Sequence, residues 1–205
     1  MVSAAELKTD NTSRVGLGLA RSLITPDART FTLLAWGAAF GTAVWQNFIS
    51  APIAYSTLPR KSFGELQAAS LPAFFTLQAG AGGVLLYSHL RDYPFIKHTG
   101  FDILDRATYV ALTLGTTIGL NLANLFIVYP ATTKLMRDRH RQERAEGKEA
   151  DDPTASDKLK TLSKEFIASH SLSAGLSLAA FGGLVFHGLW LARYGFSEAA
   201  IKRLG

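Results

Sequence analysis

The chain contains no cysteine, which excludes disulfides, thiolate metal sites and cysteine nucleophiles. Charge is missing locally: no Asp, Glu, Lys or Arg occurs in 30–59, 66–90, 107–133 or 166–192. Each run holds at least 25 residues, and a bilayer core of ~30 Å is crossed by ~20 apolar residues in a helix. Uncharged runs of this length are rare in soluble helices, so a large soluble helical bundle is the weaker reading. Hydrolase signatures such as HExxH and GxSxG are absent, as is any nucleophile beside a base at a recognisable spacing. The lack of charge inside the runs also argues against an ion-coupled pump, which needs intramembrane carboxylates or cations. The sequence therefore assigns no catalytic residue, no cofactor and no metal site.

What is present points to an all-α membrane protein, an antiparallel four-helix transmembrane bundle. The expected spans lie at about 30–55, 70–90, 107–133 and 166–192. A tail (1–29), a hydrophilic loop (134–165) and a C-terminal tail (193–205) flank the membrane domain 30–192. Residues 15–24 read either as a short interfacial helix or as weakly ordered tail. Four spans put both termini on one face, called side A below, and the long loop on the other, side B. Pro52 is expected to kink the first span by removing a backbone hydrogen bond. Leu58-Pro59-Arg60 reads as a tight corner, and Pro72 suits the first turn of the second helix. The third helix is expected to continue through KLMRDRHRQERAEG up to Gly147, with KEADDPTASDK as a flexible loop.

The net charge of +5 arises from basic residues beside the spans, where contact with lipid headgroups is the simpler reading than nucleic acid. Lys and Arg divide almost evenly, ten on side A and eleven on side B. The densest cluster, Lys134, Arg137, Arg139, Arg141 and Arg144, leans the assignment towards a cytosolic side B. Glu6, Asp10 and Asp27 oppose a mitochondrial presequence, so an endomembrane or the plasma membrane is favoured over a mitochondrial one.

Polar residues recur at one depth, in the side-B half: Gln46, Asn47, Gln78, Asn121, Asn124, Ser173 and Ser177. Amides facing hydrocarbon are left unsatisfied, so these side chains should turn inwards. They make either interhelical hydrogen bonds or a pocket for a headgroup or small solute. Arg60 is either an interfacial anchor or a headgroup contact at the rim of that pocket. Small residues at Gly37, Gly41, Gly83, Gly115, Gly119 and Gly175 are expected to let helices, or a second copy of the chain, approach closely. Two histidines on facing helices can hold a haem, but His89, His170 and His187 read more simply as interfacial or hydrogen-bonded residues.

The order and spacing of Trp36-Gly37, Trp45, Phe48-Ile49-Ser50, Leu58-Pro59-Arg60, Phe63-Gly64, Leu66-Gln67 and Leu71-Pro72 resemble the transmembrane protein 205-like family. Pro130, Thr132-Thr133 and Met136 look like that family's exit from the third span, and His170, Leu172-Ser173 like its entry to the fourth. Tyr129 and Ser177 depart from the pattern, standing for an acidic residue and an asparagine. The resemblance implies four spans and no established enzymatic activity. The expected function is a non-catalytic membrane protein binding a lipid or a protein partner in membrane organisation or trafficking. The alternative is a small-solute facilitator or transporter using the polar cluster.

Overall fold

A computed structural model describes residues 28–93 and 105–195. The 15–24 segment and the chain beyond 195 lie outside these residues. The described residues form four helical rods. The first comprises α1 (Ala28–Val44), a π-helical turn (Trp45–Ser50) and α2 (Ala51–Thr57). The second is α3 (Arg60–Asp92). The third comprises α4 (Arg106–Ala123), a π-helical turn (Asn124–Val128) and α5 (Tyr129–Glu146). The fourth is α6 (Asp157–Trp190), which ends in a third π-helical turn (Leu191–Gly195).

Proline explains the breaks in helical winding. A proline cannot donate to the carbonyl four residues earlier, and its ring collides with that carbonyl. For Pro52 and Pro130 those carbonyls belong to Phe48 and Phe126, and both lie inside a π-helical turn. The wider turn moves the carbonyl away from the ring, so winding changes where Pro52 was expected to kink the rod. Pro72 behaves differently from expectation. It sits in the interior of α3, which starts twelve residues earlier at Arg60, and it leaves the Ala68 carbonyl without its helical donor. The corner itself follows from Pro59. Leu58, just before it, is extended (φ −96°, ψ 147°), as a residue preceding proline prefers. Pro59 then caps α3 at φ −54°, ψ 142°.

Cross-links fix the antiparallel order. The His89 ring meets the Ala107 carbonyl at 2.8 Å, Trp36 Nε1 donates to the Leu184 carbonyl at 3.0 Å, and Thr132 and Ser169 hydroxyls lie 2.5 Å apart. The core of the side-A half is Ala39, Ala43, Leu85, Val110, Leu114 and Leu184. Outside it, Phe31, Leu34, Trp45, Ile53, Tyr87, Phe126, Ile127 and Leu189 are exposed, far more apolar surface than a soluble monomer shows. Three helices, Arg60–Asp92, Arg106–Glu146 and Asp157–Gly195, are long and apolar enough to cross a membrane. The first rod, residues 28–57, is shorter, and adjacent Gln46 and Asn47 dilute its apolarity. The chain is a helical membrane protein.

The third and fourth rods outrun the uncharged runs and pair beyond the side-B boundary. The third stops at Gly147, whose φ of +66° is a left-handed cap that glycine adopts without strain. The fourth starts under a Ser156 cap, whose side chain accepts from Leu159 N. Between them, the segment expected to be flexible is held by hydrogen bonds. Glu146 accepts from Ser156, and Asp152 accepts from the Thr154 backbone at 2.7 Å and its hydroxyl at 2.6 Å. Those bonds hold the Asp152 carboxyl below its usual range. Its contribution to the turn is therefore present above about pH 4, the unfolded value, and is lost as pH falls through the lower folded value. Acidification from pH 5 to pH 2 is expected to shift the Thr154 amide resonance, and Asp152→Asn is expected to abolish that titration.

Candidate functional site

The polar residues at matched depth do not share one hydrogen-bond network. Gln46 Nε2 donates to Gln67 Oε1 at 3.0 Å, and buried Gln78 Nε2 donates to the Ala39 carbonyl at 2.9 Å and Thr42 Oγ1 at 3.0 Å. These bonds clamp the first rod to the second. Asn124, fully buried, donates to the Ser173 carbonyl at 3.0 Å and Ser177 Oγ at 3.2 Å, clamping the third rod to the fourth. Asn47 and Asn121 donate back into their own helices, to the carbonyls of Ala43 and Thr117. The expected single cluster is two interhelical clamps and two local bonds, because matched depth does not fix which way each side chain turns. Asn124 and Gln46 both sit in π-helical turns, so the extra residue per turn that relieves the prolines also re-aims these amides.

The glycines correct a second expectation. A Cβ added at Gly37, Gly41, Gly83, Gly115, Gly119 or Gly175 would meet nothing within 4 Å, so none mediates close packing in the bundle. Close approach falls instead at Gly64 against Met136, Gly82 against Ile118, Gly183 against Thr117 and Gly188 against Trp36.

At the side-B boundary, charged side chains are buried. Arg60 pairs with Glu143 and, at 2.8 Å, with Glu149, so this corner cation is occupied by carboxylates. Arg139, His140 and Glu143 are each at most 6% exposed. The Arg139 guanidinium lies 4.3 Å from the Phe166 ring centroid, and its Nε is 3.8 Å from Glu143, beyond hydrogen-bond length. Among the described residues, Arg139 Nε, His140 Nε2 and Glu143 Oε2 have no hydrogen-bond partner. Sequence reading placed Arg139 among headgroup-facing cations and did not single out Glu143. The signal was the spacing of Thr132, Met136, Arg139, His140 and Glu143, a helical stripe of buried positions that apolarity alone does not reveal.

The other cations of that cluster face outwards. Lys134, Arg137 and Arg141 follow one another on the outer face of α5 beside a groove of about 600 Å³. Its far wall is Ala68 and Pro72 of α3, and its floor is Leu125, Tyr129 and Pro130. Tyr129 is fixed by its hydroxyl, which donates to the Gln67 carbonyl at 2.8 Å. Asp138 and Glu65 approach these cations only at 3.7–3.9 Å, exposed contacts worth about 0–1 kcal/mol. An apolar trough with cations at its watery end can hold a phosphate with a hydrocarbon chain.

The model of a domain of unknown function, DUF4149, matches residues 34–141, from the first rod through the outward cations of α5. The chain belongs to the DUF4149 family. Every residue lining the groove lies inside the DUF4149 match, whereas α6 lies outside it. The chain is also similar to "Xanthocillin biosynthesis cluster protein D" of Aspergillus fumigatus. The two are 28% identical over 162 residues, which cover 79% of this chain and 87% of the other. No solved structure matches.

Proposed function

We propose that this DUF4149 protein is a non-catalytic, multi-pass membrane protein that holds an anionic lipid at its side-B boundary, in membrane organisation or trafficking. The observation that carries this reading is the groove where Lys134, Arg137 and Arg141 stand over Leu125, Tyr129 and Pro130. The likeness of its first hairpin to the transmembrane protein 205-like family fits a role without catalysis. The competing reading, a small-solute facilitator, has less support because Gln78, Asn121 and Asn124 each already donate to a backbone carbonyl.

The test is the full chain in nanodiscs containing phosphatidylglycerol and phosphatidylcholine, with retained lipid counted by native mass spectrometry. Each cation near a membrane surface is worth about 1 kcal/mol. Joint replacement of Lys134, Arg137 and Arg141 by alanine is therefore expected to weaken phosphatidylglycerol retention by at least about tenfold. Added salt is expected to mimic the loss. All three side chains are largely exposed, so stability should change little. Unchanged retention in the triple variant overturns the reading.

A further inference from the structure

A second groove opens at the other end of the bundle, between the start of α4 and the end of α6, with a volume of about 780 Å³. It shares no residue with the side-B groove. Arg106 reaches it from the first turn of α4, and Arg193 from the π-helical turn that closes the fourth rod. Both guanidinium groups converge on Tyr194. Arg106 Nη1 donates to its hydroxyl at 3.5 Å, and the Arg193 guanidinium carbon stands 5.8 Å from its ring centroid. Among the described residues neither arginine pairs with a carboxylate. Two arginines without a carboxylate partner lining one groove make it favourable for an anion.

The remainder of the groove decides what kind of anion. Towards the membrane centre it is lined by Leu112, Phe186 and Leu189, and the first and last of these are exposed. Tyr109 and Trp190 flank it at the level where aromatic side chains meet lipid headgroups. A free phosphate would use the arginines and leave the trough empty. A phospholipid uses both parts, because guanidinium groups bind phosphate oxygens in pairs while the trough takes an acyl chain. We propose that Arg106, Arg193 and Tyr194 form a headgroup site for an anionic phospholipid of the side-A leaflet, with an acyl chain lying along Leu112, Phe186 and Leu189. The site recruits α6, which the side-B groove does not, and it stands whether or not that groove binds lipid.

Trp190 lines this groove and no tryptophan lines the other, so the difference between the parent and Trp190→Phe separates its quenching from that of Trp36 and exposed Trp45. The full chain is placed in nanodiscs doped at equal levels with brominated phosphatidylglycerol or brominated phosphatidylcholine. Stronger quenching by brominated phosphatidylglycerol is expected, and Trp190→Phe should remove that preference by deleting the reporter. Arg106→Gln with Arg193→Gln should lower the preference about tenfold, the loss of charged hydrogen bonds to a phosphate. The triple alanine variant of the side-B groove should leave the Trp190 signal unchanged. Equal quenching by the two brominated lipids in the parent protein overturns the proposal, and needs no variant to fold. A preference that survives the double substitution overturns it as well.

Discussion

Glu143→Leu is expected to destabilise the bundle by about 3–5 kcal/mol, the usual loss when one member of a buried ion pair is removed. Glu143 is 3% exposed and faces Arg60 and Arg139, one from the first turn of α3 and one from its own helix. Removing it leaves Arg139, 6% exposed, against the Phe166 ring with Glu149 as the remaining carboxylate in its surroundings. Arg60 can turn to Glu149 or to water, since its side chain is 38% exposed. Arg60→Ala should cost less than Glu143→Leu but more than loss of an exposed pair, because it leaves buried Glu143 with only Arg139 at 3.8 Å. Arg139→Met combined with Glu143→Leu should recover most of the loss, because replacing a buried pair with apolar side chains is often neutral. Detergent-solubilised protein titrated with dodecyl sulfate, followed by circular dichroism, measures all three. A Glu143→Leu variant that unfolds with the parent would mean that Arg139 finds another anion or water.

The same ion cluster shows where a sequence stops being readable. Absence of charge is a one-dimensional signal, and the four uncharged runs placed all four rods, while helix formers without proline up to Gly147 placed the extension of the third. Which way a side chain turns is not one-dimensional. Arg137, Arg139 and Arg141 look alike in a basic stretch, yet Arg139 is buried and the other two face out. Helical phase separates them, but only against a known neighbour, and the neighbour here is a polar stretch of α6 that read as loop. The prolines raise the same difficulty. Pro52 announced a disturbance, but a kink and a π-helical turn relieve the same clash, and Pro130 announced none. Only the turn shifts the phase of every residue around it, Gln46 and Asn124 included. Depth along the membrane was therefore legible, and direction around each helix was not. That is why seven polar residues expected in one site divide into clamps and local bonds, and why the two grooves lie outside them.

Glycine gives the sharpest test of direction. Pairs spaced four apart, such as Gly37 with Gly41 and Gly115 with Gly119, say that two small residues share a face, but not that the face meets another helix. Gly41→Leu and Gly119→Leu are therefore expected to shift unfolding by no more than about 0.5 kcal/mol, like surface substitutions elsewhere. Gly188→Ala, a far smaller change, is expected to cost about 1–3 kcal/mol through overpacking. Its new Cβ would lie 2.4 Å from Trp36 Cζ2 and 2.8 Å from Cε2, closer than carbon atoms approach. The ring has little room to retreat. Its Nε1 is tied to the Leu184 carbonyl at 3.0 Å, and it stacks on Phe40 at 5.0 Å. Moving it costs that hydrogen bond and disturbs the contact between the first and fourth rods. Trp36→Phe should be destabilising alone, since it loses the bond and leaves space. Added to Gly188→Ala it should cost less than the sum of the two single changes, because the smaller ring clears the new methyl group. Strict additivity in that cycle, or a Gly41→Leu variant that melts earlier than Gly188→Ala, would place the close contact between rods somewhere other than Trp36 and Gly188.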